Sequence, residues 1–183
     1  MDAIELLESR ASVSKLREPA PDDATLAAIV EAALRAPDHG ALRPWRVIAI
    51  RGEARARLGD VMAESLRARE PSTPSDVLDR ERKKPLRAPL LLAVAATVRE
   101  SPKAPEIEQV ISAGCVAHGI LLGLHARGFG AIWRTGDALY DPALARALGV
   151  EGARLVALLY AGTPEHPAPE IERPRAADFL CVF

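Results

Sequence analysis

The sequence predicts an α+β layer structure, built from helices and a sheet. Amphipathic helical segments alternate with short apolar runs along the chain, which is typical of mixed proteins. The first two predicted elements are both helices, which departs from the order of doubly wound α/β folds. With 183 residues, 49 % of them apolar, and no internal repeat, we expect one domain spanning residues 1–183 with its own core.

The N-terminal half is predicted to contain three helices and one strand. Asp2 and Asp22 are capping residues at the start of the first two helices, and Pro37 ends the second. The third helix carries its apolar residues on one side, as surface helices do. The predicted elements are helices at 2–10, 22–36 and 53–70, a strand at 45–50, a polar loop at 11–21, and an exposed loop with one or two helical turns at 71–85.

The C-terminal half contains the most apolar segments. Leu90–Val98 is a nearly continuous apolar run, the pattern of a strand buried on both faces. Glu106–Arg127 is predicted as a long helix, apolar on almost every side from Val110 onward, so we expect it in the middle of the molecule. The remaining predicted elements are a short strand at 131–133, a helix at 142–148, a strand at 154–161 and a proline-rich tail at 163–183.

Composition argues against several classes of partner. The 24 basic and 25 acidic residues give a net charge of −1, so nothing favours nucleic acid or an anionic membrane. The longest apolar run, Val110–Leu124, contains three glycines and a histidine and is short for a membrane span. The N-terminus does not resemble a signal peptide, and two cysteines make no secreted disulfide framework. We therefore expect a cytoplasmic protein that binds neither nucleic acid nor membrane.

The usual catalytic motifs are missing from the sequence. It contains no G-x-G-x-x-G after a strand, no Walker loop and no nucleophile-elbow serine. Cys115, His118 and His125 share one predicted helix, but no carboxylate joins them, and core packing explains the first two better than a metal does. The sequence therefore predicts no metal site, and no side chain is assigned a catalytic role.

Polar residues at the ends of segments are the remaining candidates. Arg10 and Ser12 follow the first helix, Arg35 ends the second, and Arg134 follows Trp133. Each has a structural explanation by itself, because arginines interact favourably with helix C-termini and tryptophans beside turns often anchor cores. Only their combination points to a function.

Four segments together resemble the flavin-dependent nitroreductase family, most closely its short YdjA-like branch. They read R-A-S-V-S-K-L at 10–16, A-P-D-H-G-A-L-R-P-W at 36–45, G-F-G-A-I-W-R-T-G at 128–136 and Y-A-G-T-P at 160–164. The corresponding family patterns are R-R-S-x-R-x-F, A-P-S-x-x-N-x-Q-P-W, a flavin-facing glycine-rich stretch and L-G-x-P. The resemblance covers essentially the whole chain. It implies a nitroreductase-like flavoprotein fold, with helices around a central, mostly antiparallel sheet, in a homodimer.

The resemblance also implies a cofactor and a reaction. FMN would accept a hydride from NAD(P)H, and two electrons would then pass to a nitroaromatic, a quinone or a similar acceptor in a ping-pong reaction. The flavin would lie at the subunit interface, with His39 supplied by the partner subunit and Arg35 by the same subunit. Main-chain groups of 132–134 would lie near the flavin N5.

The residues implied at the flavin include both charged and apolar side chains. Arginine and hydroxyl donors suit the dianionic phosphate, because charge-assisted hydrogen bonds are strong. The implied FMN-binding residues are Arg10, Ala11, Ser12, Arg35, His39, Ile132, Trp133 and Arg134. Those implied near the pyridine nucleotide are Leu122, Gly123, Leu124, His125, Ala126 and Arg127.

Four departures from the family patterns bear on the implied flavin site. Ala11 replaces the second arginine of the opening motif and can contribute only main-chain contacts, and Ser14 stands where many relatives have a basic residue. Ala41 and Arg43 replace the Asn and Gln before Pro-Trp. Two alternatives stay open. One is a flavin-binding redox sensor or regulatory protein without turnover, and the other is a flavin-consuming or dehalogenating relative of the same fold.

Overall fold

The computed structural model describes residues 2–168, 170 and 172–183, and it confirms the α+β fold. The described part of the chain has six α-helices and five strands. The helices are α1 (Ala3–Ser9), α2 (Asp23–Ala33), α3 (Glu53–Arg69), α4 (Ser75–Lys83), α5 (Glu106–Ala126) and α6 (Pro142–Ala147). The strands are β1 (Leu16–Arg17), β2 (Trp45–Arg51), β3 (Leu90–Ala96), β4 (Gly130–Arg134) and β5 (Arg154–Pro164).

The five strands form one sheet in which every pairing is antiparallel. Its order is β1–β5–β3–β2, and β4 pairs with β5 as well. All seven residues of β3 are buried, as predicted for a strand covered on both faces. The predicted mostly antiparallel central sheet is thereby confirmed.

Helices cover both faces of the sheet. On the first, here called the α5 face, α2 and α5 pack against side chains such as Leu92 and Leu159. On the second, here called the α3 face, α3 and α6 pack against side chains such as Leu91 and Tyr160. Successive residues of a strand point to opposite faces, which is why neighbours in β3 and β5 belong to different layers.

The helix starts follow the predicted capping residues. The side chain of Asp2 accepts hydrogen bonds from the N–H groups of Ile4 and Glu5, and that of Asp22 accepts one from Thr25. Since these carboxylates satisfy main-chain donors that have no partner inside the helix, they determine where α1 and α2 begin.

Two segments differ from the sequence prediction. Residues 16–17 and 163–164, predicted as loop and tail, pair with each other as β1 and the end of β5. The loop predicted at 71–85 contains the nine-residue helix α4, followed by a 3₁₀ turn at Lys84–Arg87. Tertiary contact stabilises α4, because Gly59 of α3 lets the two helices approach: a Cβ on Gly59 would lie 2.0 Å from the carbonyl oxygen of Arg82.

Helix α5 is less enclosed than its composition predicted. Its buried residues, among them Val116, Ile120 and Leu124, pack on the sheet and on α2. Ile107 and Ile111 on the opposite side are 63 % and 57 % exposed, so one chain does not cover this helix. By length and composition α5 is the one described helix that could span a membrane, a test that core helices of soluble proteins also pass.

Candidate functional site

A cleft of about 300 Å³ opens where α1, the end of α5 and the outer edge of β4 meet. We call it the Arg10 cleft. Helix α1 ends at Ser9 because Arg10 adopts an extended conformation, and the chain then runs alongside β4. The N–H of Val13 donates to the carbonyl oxygen of Ala131 at 3.0 Å. Residues that line the cleft include Arg10, Ala11, His125, Phe129, Ala131 and Pro164.

The segment after α1 alternates between buried and exposed residues. Ala11 and Val13 are 7 % and 8 % exposed and anchor the segment, whereas Ser12 and Ser14 point outward. The period of two is that of an extended strand with one buried face. The structure therefore brings Arg10 and Ala11 to the cleft wall and leaves the hydroxyl of Ser12 open to solvent.

The Arg10 cleft is electropositive. The guanidinium of Arg10 forms no ion pair with any described residue, and no Asp or Glu of the described chain lines the cleft. Arg173 adds a second guanidinium, whose Nη2 lies 3.4 Å from the carbonyl oxygen of Arg10. His125 also faces the cleft, with Nε2 2.9 Å from the hydroxyl oxygen of Ser9. An anionic group is the natural ligand for this end of the cleft.

The outer edge of β4 supplies main-chain donors. In a strand, the N–H and C=O of one residue point to one side and those of the next residue to the other. The carbonyl of Ala131 accepts from Val13, so Ala131 and Trp133 turn their main-chain groups away from β5. The N–H of Trp133 is consequently directed to the open edge of the sheet.

The side chains of β4 are divided between the two faces. Trp133 packs on the α5 face, whereas Ile132 packs on the α3 face. Arg134 also lies on the α3 face, with its guanidinium carbon 5.6 Å from the ring centre of Tyr160. Burial raises the pKa of the Tyr160 hydroxyl, and the charges of Arg134 and Arg87 partly oppose this shift.

Arg35 and His39 lie outside the Arg10 cleft of their own chain. Ile29 packs against Gly123 and Ala33 against Gly119, so α2 runs along α5 and brings Arg35 near the middle of that helix. This placement does not support a contact between Arg35 and a flavin in its own chain's cleft.

His39 is bound near the other end of α5. Its Nδ1 lies 2.7 Å from Oε2 of Glu108, in the first turn of the helix. Glu108 and His125 are separated by about 26 Å along the helix at 1.5 Å per residue. Within one chain, His39 is therefore far from the Arg10 cleft.

The stretch predicted near the pyridine nucleotide is only partly accessible. Leu124 is fully buried between α5 and the sheet, and Gly123 faces Ile29 of α2. Helical periodicity turns both residues toward the core, and their contact with a pyridine nucleotide stays a prediction. The members that face outward, wholly or in part, are Leu122, His125, Ala126 and Arg127.

Arg173 was not among the predicted site residues. The tail was interpreted only as proline-rich, although it carries the basic run Arg173-Pro174-Arg175. That run was the available signal, but its proximity to Arg10 depends on how the tail folds back. Among residues 2–168, 170 and 172–183, no group of three or more His, Cys, Asp or Glu side chains is arranged to hold a metal ion.

Comparison with known proteins identifies the family. The profile described as "Nitroreductase family" matches residues 7–163. The Escherichia coli K12 protein named "Putative NAD(P)H nitroreductase YdjA" is 39 % identical over 185 aligned residues, with all of both chains covered. A Bacillus cereus nitroreductase-like family protein superposes with a TM-score of 0.83 at 21 % identity, covering 100 % of this chain and 96 % of its own.

A second solved structure has the same fold. The FMN-dependent nitroreductase NfnB from Mycobacterium smegmatis, crystallised with NADPH, superposes with a TM-score of 0.76 at 20 % identity, covering 99 % of this chain and 97 % of its own. Sequence profile, full-length identity and fold agree, and on these grounds the chain belongs to the nitroreductase family.

Proposed function

We propose that this protein is a cytoplasmic FMN-dependent oxidoreductase, a homodimer of single-domain subunits. It would pass two electrons from NAD(P)H to a nitroaromatic, a quinone or a similar acceptor in a ping-pong reaction. The observation that carries the proposal is the unpaired guanidinium of Arg10 beside the open edge of β4, in a chain of this family.

The residues of the Arg10 cleft fit FMN. Its cationic end suits the single terminal phosphate, and its apolar wall, which includes Phe129 and Pro164, suits a flat ring. FMN, when bound, supplies hydride and electron transfer at its ring, and the protein contributes binding and orientation. Arg10, Ala11 and Ser12 would hold the phosphate and ribityl groups, joined by Arg173.

Main-chain groups of β4 would orient the ring. The outward N–H of Trp133 is a donor for an acceptor atom at the ring edge, whereas the main-chain groups of its neighbours Ile132 and Arg134 point toward β5 and hold the strand in place. Because this donor belongs to a paired strand, its direction is set before any ligand arrives. Such preorganisation lowers the cost of binding.

A two-fold dimer would complete the cleft. The uncovered side of α5 carries Ile107 and Ile111 near one end, and the Arg10 cleft lies at the other. A two-fold axis across the middle of α5 would place the His39–Glu108 end of each subunit beside the partner's Arg10 cleft. This arrangement would supply His39 across the interface, as the family resemblance implies.

The accessible residues of the segment 122–127 would then border the opening of the Arg10 cleft. His125 and Arg127 are the polar members, and His125 already faces the cleft. A pyridine nucleotide and an acceptor would use this opening in turn, since a shared site allows one to leave before the other binds. That order is the basis of the proposed ping-pong reaction.

The test begins with identification of the flavin. We expect the purified chain to retain or take up FMN, and to oxidise NADH or NADPH when 1,4-benzoquinone or 4-nitrotoluene is added. Initial rates at several acceptor concentrations should give parallel double-reciprocal lines. FAD in place of FMN, or no flavin after reconstitution, would refute the cofactor. FMN binding without turnover would support the sensor alternative.

A further inference from the structure

A second cavity, of about 390 Å³, lies on the α3 face of the sheet. We call it the Tyr160 cavity. It lies between three parts of the chain: helix α3, the end of α4 together with the 3₁₀ turn that follows it, and the segment after β4. Its floor is apolar and is formed by Met62, Leu66, Leu144 and Leu158. It shares no lining residue with the Arg10 cleft, and the side chains of Arg134 and Tyr160 that line it belong to the opposite face of the sheet from α5.

Two polar groups at this cavity have no hydrogen-bond partner in the described part of the chain. Arg134 Nε is the one buried side-chain nitrogen or oxygen of the described chain that lacks one. The hydroxyl of Tyr160 forms no hydrogen bond with any described residue either, although the residue is only 3 % exposed. Buried polar groups are normally satisfied, because an unmade hydrogen bond costs about 1–3 kcal/mol. Arg134 Nε is such a buried group, and the hydroxyl of Tyr160, a residue that lines the cavity, is a further free donor, so this cavity suits a ligand with acceptor atoms.

The charges of the cavity specify the sign of that ligand. Two of its cations are already neutralised: Arg69 pairs with Asp141 at 2.7 Å, and Lys84 pairs with the buried Glu81. Arg87 and Arg134 have no ion pair among the described residues.

The one remaining acid on the cavity wall is Asp137, which is exposed. Asp137 offsets one of the two unpaired guanidinium groups, Arg87 and Arg134, so the cavity carries an excess of one positive charge. Both guanidinium groups line the cavity together with the phenol of Tyr160.

We propose that the Tyr160 cavity binds a small organic anion with a planar apolar body, of the aromatic carboxylate class. The carboxylate would accept hydrogen bonds from the guanidinium groups of Arg134 and Arg87 and from the hydroxyl of Tyr160. The ring would rest on the apolar floor. The guanidinium fork matches the geometry of a carboxylate, which favours this ligand class over a neutral aromatic molecule.

The proposal does not depend on the proposed redox function. The side chains that form the Tyr160 cavity lie on the face of the sheet opposite to α5, so the cavity should stay available when FMN is bound. The experiment is isothermal titration calorimetry of the full chain with benzoate, with and without added FMN. Benzamide serves as the neutral probe of nearly the same shape. We expect benzoate to bind at least about tenfold more tightly than benzamide, which corresponds to about 1.4 kcal/mol.

Two single variants test the assignment of residues. Arg87→Gln and Tyr160→Phe should each weaken benzoate binding at least about tenfold, since each removes a hydrogen bond to a charged group. Arg87 is exposed, so its variant keeps the test valid even if Tyr160→Phe disturbs folding. Arg57→Gln removes an exposed arginine of α3 that pairs with no acid among the described residues; it is the matched control and should leave binding unchanged.

Four results would overturn the proposal. Two concern the ligand: no binding of benzoate, or binding no tighter than that of benzamide. The third is that both cavity variants bind benzoate as tightly as the parent chain does. The fourth is that stoichiometric FMN abolishes benzoate binding, which would make the cavity part of the flavin site. Benzoate binding in a chain that lacks NAD(P)H oxidation would support this site while refuting the proposed function.

Discussion

Replacing Arg10 by glutamine should weaken binding of FMN but not of riboflavin. The two flavins differ only in the terminal phosphate, and the guanidinium of Arg10 is the unpaired cation at the polar end of the cleft. A hydrogen bond to a charged group is worth about 1.5–3 kcal/mol. Arg10 is half-buried, so solvent screening favours the lower limit, and we expect the dissociation constant of FMN to rise about tenfold.

The assay is a flavin titration of the full chain. Quenching of flavin fluorescence gives the dissociation constants of FMN and riboflavin for the parent chain, Arg10→Gln and Arg173→Gln. Arg173→Gln should show a smaller loss in the same direction, because its side chain is exposed and lies beside the carbonyl of Arg10. Arg57→Gln changes the net charge equally at an exposed position near the start of α3 and controls for nonspecific electrostatics.

The comparison of the two flavins makes the reasoning refutable. If Arg10→Gln weakens FMN and riboflavin by the same factor, Arg10 supports the ring or the fold rather than the phosphate. If neither constant changes by more than about twofold, or 0.4 kcal/mol, the phosphate is bound elsewhere. Added salt should reduce the difference between the flavins in the parent chain, because screening weakens an exposed charge pair.

Three further predictions concern stability and assembly. Gly59→Ala should lower the free energy of unfolding by about 3 kcal/mol in urea, since its Cβ would meet the carbonyl oxygen of Arg82 at 2.0 Å and overpacking costs about 1–3 kcal/mol. The pKa of Asp141 is held low, first by the hydroxyl of Ser65, so its ionised form stabilises the fold above its ordinary pKa and this stability is lost as the pH falls through the lowered value. Asp141→Asn should therefore lose less stability than the parent chain between about pH 5 and pH 3. Ile111→Glu should shift the sedimentation coefficient toward the monomer, because the change introduces a charge on the uncovered side of α5.

Each of these has a result that would contradict it. For Gly59, the control is Gly114→Ala, whose Cβ would meet nothing nearer than 3.9 Å; equal stability of the two variants would exclude the proposed clash. Parallel acid-unfolding curves for Asp141→Asn and the parent chain would show that the carboxylate contributes no pH dependence. A dimer of unchanged affinity in Ile111→Glu, or a folded monomeric parent chain loaded with FMN, would place the interface elsewhere or remove it.

Much of the fold could be predicted because its determinants are local. The caps at Asp2 and Asp22 and the apolar run of β3 act within a few residues, and the structure confirms all three. Helix α4 could not be predicted at its full length, because its charged sequence favours solvent and its packing depends on a glycine sixteen or more residues earlier in the chain, Gly59. The β1–β5 pairing joins residues almost 150 positions apart and has no local signal.

The sequence by itself predicted the family, most of the elements in their order, and a set of flavin-binding residues that stays a prediction. Only the tertiary structure decided how that set is arranged. It placed Arg10 and Ala11 in one cleft and moved the side chain of Arg134 to the other face of the sheet. It also separated His39 from the cleft by most of the length of α5. The physical reason is that a sequence motif gives only the order of residues along the chain. The alternation of a strand and the rotation of a helix determine the face on which each side chain lies.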